Sequence, residues 1–282
     1  MYSEYYTFGG VTLRLMGETP WQPSDICQPF RTEGGAADHT IHVTIADTLP
    51  QPPEDAAHQC GVYRWREGKR FCLMRNYGDL YAACAVRESD ATEVRLSEGY
   101  RDTLSARTIM ESAGLFDLLA DFGMLILHSA YIVTPEGDGI LFSGPSGAGK
   151  STQAELWRQY AGAQVVNGDR SLVRPADATV HGILYSGTSG ICRNVSAALR
   201  AIVLPVQAAE NRLYALRPQE TFVRLLNQCA YYPWAADSAD RMTELAARLV
   251  NAVPVYGMDC RKDESAVRAL QDYLRRGCHE AE

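Results

Sequence analysis

The chain has 282 residues, 46% of them hydrophobic and 22% charged, and a net charge of −7 at neutral pH. That length supports one large domain or two modest ones with an ordinary globular core. The acidic balance and the lack of any Lys/Arg-rich run argue against a nucleic-acid partner, and no apolar segment reaches the roughly 18 residues of a membrane span. Eight cysteines lie scattered at 27, 60, 72, 84, 192, 229, 260 and 278 without a C-x-x-C pair. This usage fits reduced thiols in a cytoplasmic protein better than a disulfide framework or a zinc site. Met1-Tyr2-Ser3-Glu4-Tyr5-Tyr6 has neither a basic region nor an apolar core, so no secretory signal is expected.

Residues 1 to about 103 read as β-rich. Thr40–Ala46 alternates, with Ile41, Val43 and Ile45 on one face. Val62–Arg66 and Arg70–Arg75 flank a turn at Glu67-Gly68-Lys69, and Asp79–Arg87 and Thr92–Ser97 continue the strand rhythm. His39 and His42 fall on opposite faces of one strand and read as surface residues. From Ser105 to about Asp121 the apolar period becomes helical, with Ile109, Leu115, Phe116 and Leu119 on one stripe. The division expected is a β-rich accessory domain over 1–103, a connecting helix over 104–122 and a nucleotide-binding domain over 123–282.

Leu125–Thr134 and Gly139–Ser143 are expected as an antiparallel hairpin turning at Pro135-Glu136-Gly137-Asp138. The hairpin runs directly into Gly144-Pro145-Ser146-Gly147-Ala148-Gly149-Lys150-Ser151, which fits G-x-x-x-x-G-K-[ST] at every fixed position. Backbone amides of Gly144, Ser146, Gly147, Ala148 and Gly149 are suited to surround phosphate oxygens. Lys150 reaches the β and γ phosphates, and Ser151 ligates Mg²⁺. Thr152 opens a helix to Tyr160 whose N-terminus favours the same anion. The expected cofactors are therefore ATP, or another nucleotide, and Mg²⁺. Helices are also expected near Pro218–Asn227, Ser238–Asn251 and Asp263–Arg275.

Asp169, at the end of the apolar pair Val165-Val166, is placed to hold the metal or to take an acceptor's proton. A turn-forming Gly-Asp pair is the plainer account. Gly187–Gly190, followed by Arg193 and Asn194, permits close backbone approach, and Arg193 could fork onto a phosphoryl oxygen. An ordinary surface loop is the alternative. Tyr231-Tyr232-Pro233-Trp234 reads as buried packing, or else as an acceptor pocket.

The order Leu127-His128-Ser129-Ala130, hairpin, phosphate loop, Val165-Val166-Asn167-Gly168-Asp169-Arg170 resembles the catalytic domain of HPr kinase/phosphorylase, related in fold to ATP-dependent phosphoenolpyruvate carboxykinase. The smaller HPr-kinase-related kinases are the nearer likeness, which covers about residues 123–278. The resemblance implies an α+β or α/β fold with a mixed sheet and flanking helices, and a γ-phosphoryl transfer from ATP to a hydroxyl acceptor. It gives His128 a part in proton transfer. The family pattern carries two adjacent acids where this chain has Gly168 and Asp169, and often a lysine in the loop that holds Thr188 and Ser189. A nucleotide-binding regulatory or scaffold module with little turnover is the alternative from another class, and a carboxykinase-like decarboxylation is a further one. The acceptor, the donor nucleotide and any homo-oligomer stay open.

Overall fold

The computed structural model describes residues 1–76, 78 and 81–276. It is an α+β protein whose chain divides into two compact units, Met1–Phe122 with Tyr231–Arg241, and Gly123–Ala230 with Met242–Glu282. No helix among the described residues is long and apolar enough to cross a membrane. The seven described cysteines are free, and Cys278 lies outside the described residues.

The first unit is built on one nine-stranded sheet. Its strands are β1 (Tyr2–Phe8), β2 (Val11–Gly17), β3 (Arg31–Thr32), β4 (His39–Ile45), β5 (Ala57–Gln59), β6 (Val62–Glu67), β7 (Arg70–Asn76), β8 (Ala82–Arg87) and β9 (Ala91–Leu96). They lie in the order β3-β1-β2-β4-β9-β8-β7-β6-β5. β4 is parallel to both β2 and β9, while β5 to β9 form an antiparallel meander. The turn between β6 and β7 has Gly68 at φ +62 in the first central position, where a II′ turn puts glycine. Of the strand expected over 79–87, positions 79 and 80 lie outside the described residues.

Two expectations are corrected here. The helix expected over 104–122 is two helices, α1 (Ala106–Ser112) and α2 (Leu115–Asp121), both in the first unit. Gly114 divides them, adopting φ +78 at the head of α2. His39 is a core residue, 1% exposed. Period two puts it on the face of Ile41 and Val43, and Thr92 Oγ1 satisfies its Nε2 at 2.8 Å. Tyr232 is also buried in this unit, tilted against Phe116 and edge-on to Trp234.

In the second unit β10 (Leu125–Val133) and β11 (Gly139–Ser143) form the expected antiparallel hairpin. There follow α3 (Lys150–Ala161), β12 (Gln164–Asn167), β13 (Arg170–Arg174), β14 (Thr179–His181), β15 (Ser196–Gln207), β16 (Arg212–Ala215), α4 (Pro218–Leu226), α5 (Ala236–Ala252), which belongs to the first unit up to Arg241, β17 (Val255–Cys260) and α6 (Glu264–Arg276). The two longest strands change partners along their length. β10 pairs with β13 at Leu125–His128 and with β12 beyond, and β15 passes from antiparallel β14 to parallel β11 and β17. Pairing therefore closes on itself around β11-β10-β13-β14-β15. A core of Ile132, Ile140, Phe142, Trp157, Val203, Met258, Val267 and Leu270 joins α3 and α6 to the strands. Each such side chain contributes about 1.5–3 kcal/mol by burial, and Phe142 ties β11 into this core just before the loop begins.

Candidate functional site

β11 ends at Ser143, and the chain turns through Gly144 (φ +147), Gly147 (φ +80) and Gly149 (φ +104) before α3 begins at Lys150. Lys150 folds back over this loop, donating from Nζ to the carbonyl oxygens of Gly144 (2.8 Å) and Pro145 (3.0 Å). It is only 7% exposed, and burial lowers its pKa from the ordinary 10.5, against the pull of Asp169, which favours the charge. Gln207, at the end of β15, donates to Gly147 O at 2.9 Å and braces the loop from outside. Ser151 is exposed and Thr152 half-buried on the first turn of α3.

β10 brings His128 to the same end of the sheet. Its backbone N–H donates to Gln228 O at 2.8 Å, and Ser129 N donates to Asp169 O at 2.9 Å. His128 Nε2 lies 3.5 Å from Asp169 Oδ1, and Nδ1 lies 3.3 Å from Gln228 Oε1. Burial, seconded by the Lys150 charge, lowers the imidazole pKa below its ordinary 6.5, so the ring is neutral near pH 7. A neutral imidazole carries one N–H and cannot donate to both neighbours. One ring nitrogen is therefore free to accept a proton when the other donates.

Asp169 sits between His128 and Arg170, whose Nε is 3.4 Å from Asp169 Oδ2. Behind it lies the glycine-rich loop. A Cβ on Gly187 would be 2.6 Å from Asp169 Cβ, and one on Gly168 would be 2.1 Å from Ser189 Oγ. Asn167 fixes this contact. Its amide donates to the carbonyls of Ile183 (2.7 Å) and Tyr185 (3.2 Å), and its Oδ1 accepts from Ile183 N at 3.1 Å.

The structure thus brings Lys150, Asp169 and His128 together with the loop Ser186–Gly190. Arg193 is not joined to them. Its backbone oxygen crowds Gly182, its side chain is exposed, and its guanidinium makes no hydrogen bond or ion pair among the described residues. The arginine beside Asp169 is Arg170. Gln207 and Gln228 were not legible as site residues. Gln228 meets His128 across one hundred positions, and a lone amide carries no spacing signal.

A cavity of about 730 Å³ opens over the phosphate loop, walled by Leu204, Pro205 and Val206 on one side and by Arg224, Asn227 and Gln228 on the other. Pockets of about 300–1,000 Å³ take molecules of nucleotide size. Among the described residues no three His, Cys, Asp or Glu side chains form a cluster that could hold a metal. Mg²⁺ needs less from a protein, since it keeps several waters and takes phosphate oxygens with one or two carboxylates. Asp169, with a third of its side chain exposed, and the exposed Ser151 hydroxyl fit that demand. No protein-family model matches the chain, and no curated protein does.

Proposed function

We propose that the second unit is a Mg²⁺-dependent kinase that moves the γ-phosphoryl group of ATP to a hydroxyl, on a serine of a protein or peptide or on a small molecule. One observation carries the reading. The phosphate-loop lysine, a carboxylate and a neutral imidazole act on one another at one end of the sheet, with Asp169 favouring the charge of Lys150 and Lys150 opposing that of His128. Phosphoryl transfer asks for these parts together.

The loop amides and Lys150 bind the phosphates, Lys150 exchanging two backbone carbonyls for phosphate oxygens. Ser151 and Asp169 would hold Mg²⁺, which would offset the charge of the phosphates. With Gly168 in place of a second acid, His128 is the further proton acceptor touching Asp169. It takes the acceptor's hydroxyl proton while the oxygen bonds to phosphorus, the bond to the bridging oxygen breaks and ADP leaves. Arg170 offsets the charge gathered around Asp169.

The test is a mass-spectrometric time course with Mg-ATP and pooled hydroxyl acceptors, with Lys150→Ala and Asp169→Asn as controls. A species heavier by one phosphoryl group, absent in both controls, is the expected result, with Asp169→Asn still binding nucleotide. Unchanged turnover in Asp169→Asn removes the assignment. Gly168, and the engagement of Lys150 with its own loop, favour a second reading, a nucleotide-binding regulatory module. Nucleotide binding without product or ATP consumption would select it.

A further inference from the structure

The first unit contains a cavity of about 570 Å³ lined by Arg66, Lys69, Arg70, Arg87 and Arg241. Three carboxylates face these five cations. Glu88 is taken by Arg70, whose Nε lies 2.8 Å away. Asp121 is shared by two guanidiniums, Arg87 Nη2 at 3.0 Å and Arg241. Glu67 accepts from Trp65 Nε1 at 3.0 Å. Lys69, exposed on the turn between β6 and β7, makes no ion pair among the described residues. Arg66 is paired with Asp237 at 3.5 Å, and five cations against these four acids leave the cavity positive in a chain that is acidic overall.

Arg87 gives the cavity its direction. Its side chain is 5% exposed and its guanidinium lies over the Phe71 ring, 4.6 Å from the centroid. With Nη2 spent on Asp121, Nη1 has no hydrogen-bond partner among the described residues. A buried guanidinium N–H left unpaired is costly, because the group has given up its water for nothing in return. An acceptor oxygen from outside the chain removes that cost, and an arginine fork matches the two oxygens of a carboxylate or phosphate. We propose that this cavity binds a small molecule bearing a phosphate or carboxylate group, with Arg87 at its floor and Lys69 and Arg70 at its rim. The volume is that of a metabolite-sized ligand.

Inorganic phosphate and succinate, titrated separately by calorimetry, test the proposal. The full chain carries Lys150→Ala throughout, which weakens the purchase of phosphate on the loop of the second unit. It is compared with the same chain bearing Lys69→Ala/Arg70→Ala or Arg87→Lys. At least one probe is expected to bind, and the Lys69/Arg70 change to weaken it tenfold or more. Phosphate alone points to an ester, succinate alone to a carboxylate, and either supports the site. If Arg87→Lys fails to fold, the exposed Lys69/Arg70 pair decides. No binding by either probe, or binding unmoved in a Lys69→Ala/Arg70→Ala chain with an unchanged urea midpoint, overturns the proposal and leaves the arginines a structural cluster.

Discussion

A methyl group on Gly168 would lie 2.1 Å from the Ser189 hydroxyl oxygen and 2.6 Å from Ser189 Cβ. That hydroxyl donates to Ser186 O at 2.7 Å and holds the glycine-rich turn closed. A second acid beside Asp169 has no room unless this turn moves. Gly168→Ala should therefore destabilise the chain by about 1–3 kcal/mol, the usual cost of overpacking. Combined with Ser189→Gly it should cost less than the two changes summed. Urea unfolding of the four chains measures the coupling, and strict additivity would show that the contact is not what excludes a side chain. His128 makes a second forecast. Its pKa is lowered, chiefly by burial, so the proton-accepting neutral form persists below pH 6.5 and is lost only as pH falls further. The acid limb of the pH–rate profile for phosphoryl transfer should lie below 6.5 and vanish in His128→Asn. A limb that stays in place would assign it to another group.

Gly114 decides whether residues 106–121 form one helix or two. Its φ of +78 is left-handed, and a Cβ there would meet Leu73 Cδ2 at 2.9 Å. Gly114→Ala is expected to lower stability by about 1–2 kcal/mol, measured as a shift in urea midpoint. A stabilised chain would mean that the helix runs through. The apolar stripe crossing this glycine made the stretch read as continuous, because periodicity registers side chains and is blind to φ. The same method located the hairpin, the phosphate loop and the helices α4 to α6, where each pattern lies within one element. It was silent on β1, whose inward position 4 is a glutamate. Four donors satisfy it there: Tyr6 OH at 2.6 Å, Trp21 Nε1 at 2.7 Å, Tyr2 OH at 2.8 Å and Arg31 at 2.9 Å. At the site, Lys150 and Asp169 were legible from local motif. Gln228 and the clash between Gly168 and Ser189 depend on contacts between distant segments, which no single-sequence pattern encodes.

Each unit buries a histidine in neutral form, His39 in the first and His181 in the second. Burial, with Arg87 near one and Arg174 near the other, pushes both pKa values down to about 4 from 6.5. The unfolded chain protonates them near 6.5 and the folded chain does not. Stability is therefore complete above about pH 6.5 and falls as pH drops towards 4, by about 3 kcal/mol for each histidine. Urea midpoints at pH 7, 5.5 and 4.5 should trace the loss, and His39→Gln/His181→Gln should flatten it. A midpoint independent of pH across that window would contradict the buried neutral forms. The discontinuity of the first unit bears on how the protein is made. Asp117 is bonded by Ser238 at 3.1 Å, Arg64 by Asp237 at 3.0 Å, and Asp121 by Arg241. All three partners come from the stretch 231–241, which the ribosome delivers only after the phosphate loop, β10 to β16 and α4 have emerged. Until translation passes Arg241 the nascent first half lacks these bonds, so the first unit is completed only after most of the second has been made.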